Sequence, residues 1–217
     1  RPRAYQALMN GPNFLYYRLR NFVPRTIQIG LRRFNARIQL PRVADRWPID
    51  PATANPPPDF PGWPEGKSFA LVLRHDVEWQ HGRDACRRLA EIDSSRGFKA
   101  AFYFIPRRYE LNPQLRQDLR DAGFEVCVHG LYHDGFLYSN RTVFSERARI
   151  INDYLSEWGS FGFASPSAHH RLEWLHELNI THDSSTFDTD PFEPQPDALE
   201  TIFPQRIQND SGASSYI

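Results

Sequence analysis

The stretch "FALVLRHDVEW", residues 69–79, decides how the chain is read. Its first seven residues, 69–75, predict a buried strand. The strand runs straight into His75 and Asp76. An α/β sheet that binds a dinucleotide places a glycine-rich turn after its first strand, and none is present here. That class is set aside, and the polar strand end becomes the feature to explain.

Working outward, the pattern repeats. "KAAFYFI" (99–105) predicts a second strand, closed by Pro106, and "FEVCVH" (124–129) a third. "FGFAS" (161–165), "ITHDS" (180–184) and "TIFPQRI" (201–207) predict further short strands. Helices are predicted between them. Over 82–97, Ala85, Leu89 and Ile92 share one side and Gly97 is the stop. Over 112–123, Asn112 caps, Pro113 takes the first turn and Gly123 ends the helix. Over 142–158, the inward candidates are Phe144, Ile151, Tyr154, Leu155 and Trp158, and a last helix is predicted over 168–178. Strands alternating with helices predict a parallel sheet covered by helices, either open or closed into a barrel.

In a barrel of this kind, reactive groups gather at the carboxyl ends of the strands. The ends here are His75-Asp76, then His129 followed by His133, then Ser165-Pro166, then His182-Asp183. Two imidazoles and a carboxylate suit zinc or a similar divalent ion with positions left open for water and substrate. His129 and His133 are the imidazoles and Asp76 the carboxylate. The competing reading makes them solvent-exposed loop histidines, among the eight histidines of the chain. Cys127 alternates within a strand and predicts a buried thiol. With Cys86 it makes only two cysteines, too few for a disulfide framework.

The upstream part has a different character. The 217 residues carry no net charge, yet residues 1–46 hold ten arginines and one acid, Asp45. Ile27, Leu31, Phe34 and Ile38 fall at helical spacing, which predicts a basic amphipathic helix over 25–40. Such a helix fits contact with an anionic surface, or packing of its stripe on the main domain. "PIDPATANPPPDFPGWPEG" (48–66) predicts an extended, irregular linker. The expected organisation is a basic leader over 1–47, a proline-rich linker over 48–67 and an α/β domain over 68–217. No apolar run is long enough to cross a bilayer. The chain begins at Arg1 and shows no signal-peptide core, so a cytoplasmic or peripheral-membrane setting is the expectation. No zinc-finger spacing or aromatic platform supports nucleic-acid binding. The acidic "DTDPFEPQP" (188–196) predicts an ordered rim loop rather than a calcium loop, since it lacks the glycine turn.

From about residue 68 to 204 the motif order resembles the polysaccharide deacetylases, carbohydrate esterase family four. The resemblance rests on "RHDVEW", "AAFYFIP", "HGLYH", "GFASPSAHH" and "HDSSTFDTDPFEPQP". It implies a distorted (β/α) barrel and metal-dependent removal of acyl groups from N-acylated sugars. It implies Asp76, His129 and His133 as metal ligands, for zinc, cobalt or another divalent ion. His75 stands at the position of the catalytic base, and Ser165, Pro166 and Asp183 fall in groove-lining motifs. The sequence departs from the family pattern in three places. Gly130 replaces a hydroxyl residue. Ala164 stands where an arginine orients the base. Nothing after Ile207 matches the last motif, whose histidine protonates the leaving nitrogen, so an incomplete barrel is expected. These departures motivate an alternative, a non-catalytic descendant that binds carbohydrate or a partner.

Overall fold

The computed structural model describes residues 23–48, 50–58, 60–166, 171–186, 192, 201–208 and 214–216. They fall into two compact units. One is built from residues up to Pro58 together with the 187–203 segment, the other from residues 59–186 and 204–217.

In the first unit, helix α1 (Arg25–Gln39) starts after Pro24. Its apolar stripe is exposed, from 42% at Ile38 to 64% at Phe34, and none of its residues is buried. Pro51–Ala54 forms a 3₁₀ turn, with the Asp50 carboxylate accepting the Ala52 N–H at 2.9 Å. Thr53 is buried, and its carbonyl accepts the Ile202 N–H at 3.2 Å. The segment expected to be an irregular linker is therefore partly built into this unit. Most of the acidic 188–196 loop lies outside the described residues.

The second unit is a sheet with helices. Its strands are β1 (Arg74–Val77), β2 (Ala101–Phe104), β3 (Glu125–His129), β4 (Gly162–Ala164), β5 (His182–Asp183), β6 (Arg206–Gln208) and β7 (Ser214–Tyr216). The order is β1-β2-β3-β4-β5-β7-β6. All neighbouring pairs are parallel except β6 with β7. Helices α2 (Gln80–Ser95), α3 (Pro113–Asp121) and α4 (Arg141–Trp158) form the crossovers between the first four strands. Asn112 caps α3 by accepting the Gln114 N–H at 2.8 Å, and Asn140 caps α4 through the Val143 N–H at 3.0 Å.

Strand alternation divides the sheet into two unlike faces. Phe102, Phe104, Val126, Val128 and Phe163 point to one face and pack against Cys86, Leu115, Leu119, Phe144, Ile151 and Leu155 of the helices. Ala101, Tyr103, Cys127 and Ala164 form a separate small cluster on the other. An open doubly wound sheet carries helices on both faces. A barrel carries them outside and fills a narrow inside with side chains, and the small inner residues here match that pattern. Among the described residues the sheet does not close, with β1 and β6 as its edges.

Three expectations are corrected. The first strand is not 69–75 but Arg74–Val77, with Phe69, Leu71 and Val72 exposed by 75%, 61% and 77%. Register pairing with β2 begins at Arg74 opposite Ala101, and before it the Leu73 carbonyl accepts the Ala101 N–H at 3.0 Å. In α2 the buried residues are Cys86, Ala90 and Asp93, and Leu89 packs partly buried against the core as expected, whereas Ala85 and Ile92 are exposed. Asp93 turns in to meet His75, Oδ2 to Nε2 at 2.8 Å. Where a helix was expected over 168–178, the described part is a 3₁₀ helix, Leu172–Glu177.

Candidate metal centre

His129 closes β3 and is 2% exposed. Its Nδ1 lies 3.1 Å from the Ala164 carbonyl oxygen. A carbonyl can only accept, so Nδ1 carries the hydrogen and Nε2 is left with its lone pair. Burial holds the imidazole below its ordinary pKa, against the opposing pull of the nearby Asp76 carboxylate. A neutral imidazole with a free Nε2 is the form that binds a metal.

The chain then turns sharply. Gly130 has φ 61°, and a Cβ there would stand 2.4 Å from Cγ of Pro166. The Pro166 ring thus occupies the place a side chain would take, which accounts for glycine where the resemblance implies a hydroxyl residue. His133 adopts a left-handed φ of 57°. Arg108 Nη1 donates to the carbonyls of Tyr132 and His133, each at 3.3 Å, while its guanidinium lies 3.8 Å from the centre of the Trp79 ring. Arg147 holds both Asp134 oxygens at 2.7 Å and keeps that carboxyl below the usual range. These contacts bring the two imidazoles to 5.4 Å between ring centres.

The third member of the cluster is Glu78. Its Oε1 lies 3.1 Å from His133 Nε2. Glu78, His129 and His133 each offer a ligand atom, and the three atoms lie within 4.8 Å of one another. His133 Nε2 is buried and makes no directed hydrogen bond. Two imidazole nitrogens and a carboxylate oxygen fit a divalent ion of the zinc type.

The other expected residues are placed differently. Asp76 turns to Arg74, which reaches its two oxygens at 3.0 and 2.5 Å. The same guanidinium donates to the Ser184 carbonyl and lies 5.2 Å from the centre of the Tyr103 ring. His75 is not brought to the cluster. It occupies the helix-covered face, with Nε2 on Asp93 and its ring 4.8 Å from Phe102. The cause is alternation: Arg74 and Asp76 share one face of β1, while His75 and Val77 share the other. Ser165 and Asp183 are buried in a hydrogen-bonded chain. The Tyr138 and Ser165 hydroxyls are 2.6 Å apart, the Ser165 N–H donates to Ser185 Oγ at 2.7 Å, and that hydroxyl donates to Asp183 at 2.6 Å. Pro166 caps the turn at Gly130. Glu78 and Arg74 were missed by the sequence reading. The signal was available in the parity of "RHDVE", since residues 74, 76 and 78 alternate together.

No family model and no curated protein matches the sequence. The structure resembles that of a presumed polysaccharide deacetylase from Mycobacterium smegmatis, with TM-score 0.54 and 17% identity over 71% of this chain and 59% of that one. A family 4 carbohydrate esterase from Streptomyces lividans aligns with TM-score 0.44 and 15% identity, over 52% and 60% of the two chains. A CE4 family pseudoenzyme from Bacillus anthracis aligns with TM-score 0.41 and 23% identity, over 50% and 40%. The chain thus spans about 59% of the length of the first of these. Its fold is that of the polysaccharide deacetylase-like proteins.

Proposed function

We propose that this chain carries the metal-binding half of a hydrolase that removes an acyl group from the nitrogen of an N-acylated saccharide. The observation that carries this reading is the convergence of Glu78, His129 and His133, whose ligand atoms lie within 4.8 Å of one another. These three residues would hold one divalent cation, zinc by its preference for such donors. When bound, that ion supplies a Lewis acid and a water of lowered pKa.

The remaining roles fall to the chain's own side chains. Asp76 takes up a proton at a carboxylate oxygen, as a general base must. Arg74 holds that carboxylate from two sides and is itself tied to the Ser184 carbonyl. It supplies the orienting contact that Ala164 lacks the side chain to make. Ala164 contributes instead through its backbone, by fixing His129. Arg108, stacked on Trp79, holds the loop that carries His133.

The test is acetate release from chito-oligosaccharides or peptidoglycan fragments by the full-length protein, with and without added zinc or cobalt. Metal-dependent release that disappears in His129→Ala supports the reading. A protein that binds the ion and the saccharide but releases no acetate is a carbohydrate-binding descendant instead.

We also infer that α1 meets an anionic membrane face. Its exposed stripe of Ile27, Leu31, Phe34 and Ile38 and its arginines support this. Liposome co-sedimentation unchanged by deleting residues 1–46 removes it.

A further inference from the structure

A second group of donors lies on the inner face of the same sheet, toward the amino end of β3. Glu125 and Cys127 come from β3, four and two residues before His129, and His182 comes from β5. A carboxylate oxygen, Sγ and a ring nitrogen of these residues lie within 4.8 Å of one another. His182 Nε2 is 3.3 Å from Glu125 Oε1. Cys127 is fully buried, whereas the side chains of His182 and Glu125 are 32% and 49% exposed.

β4 runs between the two contributing strands, and what it places there is a glycine. Gly162 pairs with His182 in register. A Cβ on Gly162 would stand 2.4 Å from His182 Nε2 and 2.5 Å from Cys127 Sγ. Any other residue would strike both donors. Its φ lies outside the left-handed region, so the backbone does not demand glycine. The space above its Cα does. The glycine therefore opens a cradle into which a thiol and an imidazole converge from the strands on either side.

We propose that Glu125, Cys127 and His182 form a second cation site, specific for zinc or a similar borderline-soft divalent ion. A thiol and an imidazole select such ions over magnesium or calcium, which prefer oxygen ligands. On binding, the Cys127 S–H bond is replaced by a sulfur–metal bond and the proton leaves to solvent. The two exposed ligands face water, which completes the coordination shell. The ion would clamp β3 to β5 across β4. This proposal does not depend on the hydrolase reading, because it shares no ligand with the Glu78–His129–His133 cluster.

Cobalt(II) titration of the full chain tests it. The Glu78–His129–His133 cluster contains no sulfur, so a thiolate-to-cobalt charge-transfer band reports the second site alone. The band is expected in the wild type, absent in Cys127→Ser, and at least tenfold weaker in apparent affinity in His182→Gln, whose partly exposed side chain is replaced without disturbing the core. No band in the wild type overturns the proposal. A band that survives Cys127→Ser also overturns it, because the sulfur would then be that of Cys86, buried in α2.

Discussion

The two faces of the parallel sheet are made from the same strands and do opposite work. The helix-covered face is aromatic and dry: Phe102, Phe104 and Phe163 are fully buried against Phe144 and Ile151. The inner face carries Arg74, Asp76, Tyr103, Cys127, His129 and Ala164, which are small or chemically capable. The comparison teaches that stability and chemistry are segregated by residue parity. A one-residue slip in any of these strands would exchange the two sets.

The sharpest way to break this division is on the aromatic face. Phe104→Ala removes a fully buried ring and is expected to cost about 3–5 kcal/mol, read from denaturant unfolding. If the loss is no larger than that of an exposed substitution, the helix-covered face is not the core.

On the inner face, His129→Ala should leave the fold in place while weakening zinc binding by more than the ~10–100-fold typical of losing an outer-shell partner. Isothermal titration gives the affinity, and circular dichroism checks the fold.

The third comparison lies within β1. Glu78→Gln is expected to weaken zinc binding by about tenfold or more, whereas Asp76→Asn should leave affinity within a few-fold and lower turnover. If Asp76→Asn costs the larger share of affinity, the two carboxylates have exchanged roles.

The smallest expected effect is a pH dependence of the metal-free chain. His129 sits below its ordinary value of 6.5 in the folded state. Between the folded and unfolded values the unfolded chain binds the proton more readily. Stability therefore rises with pH through that window and falls as the solution is acidified below 6.5. Thermal melts across that range should show the decline, and His129→Gln should flatten it.

Much of the second unit was legible in the sequence. The capped helix α3, helix α4 and the strands β2 and β3 follow from local signals: Asn112, Pro113 and Gly123 for α3, the apolar spacing from Phe144 to Trp158 for α4, and apolar runs of strand length. The two histidines were legible as well, since His129 ends a strand and His133 follows within a tight turn. What escaped was orientation. Hydrophobicity placed the first strand at 69–75, but pairing with β2 is what defines a strand, and it begins only at Arg74. His75 was favoured by its place in a motif, and the alternation of β1 turns it toward Asp93 instead. In α2 the part-buried His75–Asp93 pair takes an inward position, and Ile92 beside it is exposed. Glu78 was invisible to an argument from adjacent pairs and plain to one that counts every second residue.

The contact between Gly130 and Pro166 has a consequence for how such a site can change over time. The ring of one fills the space that a side chain on the other would need. The two positions are a single unit of substitution. A hydroxyl residue at 130 requires the Pro166 ring to shift or to be replaced. This contact joins the loop that carries His133 to the loop after β4, so two segments that read as separate motifs are coupled.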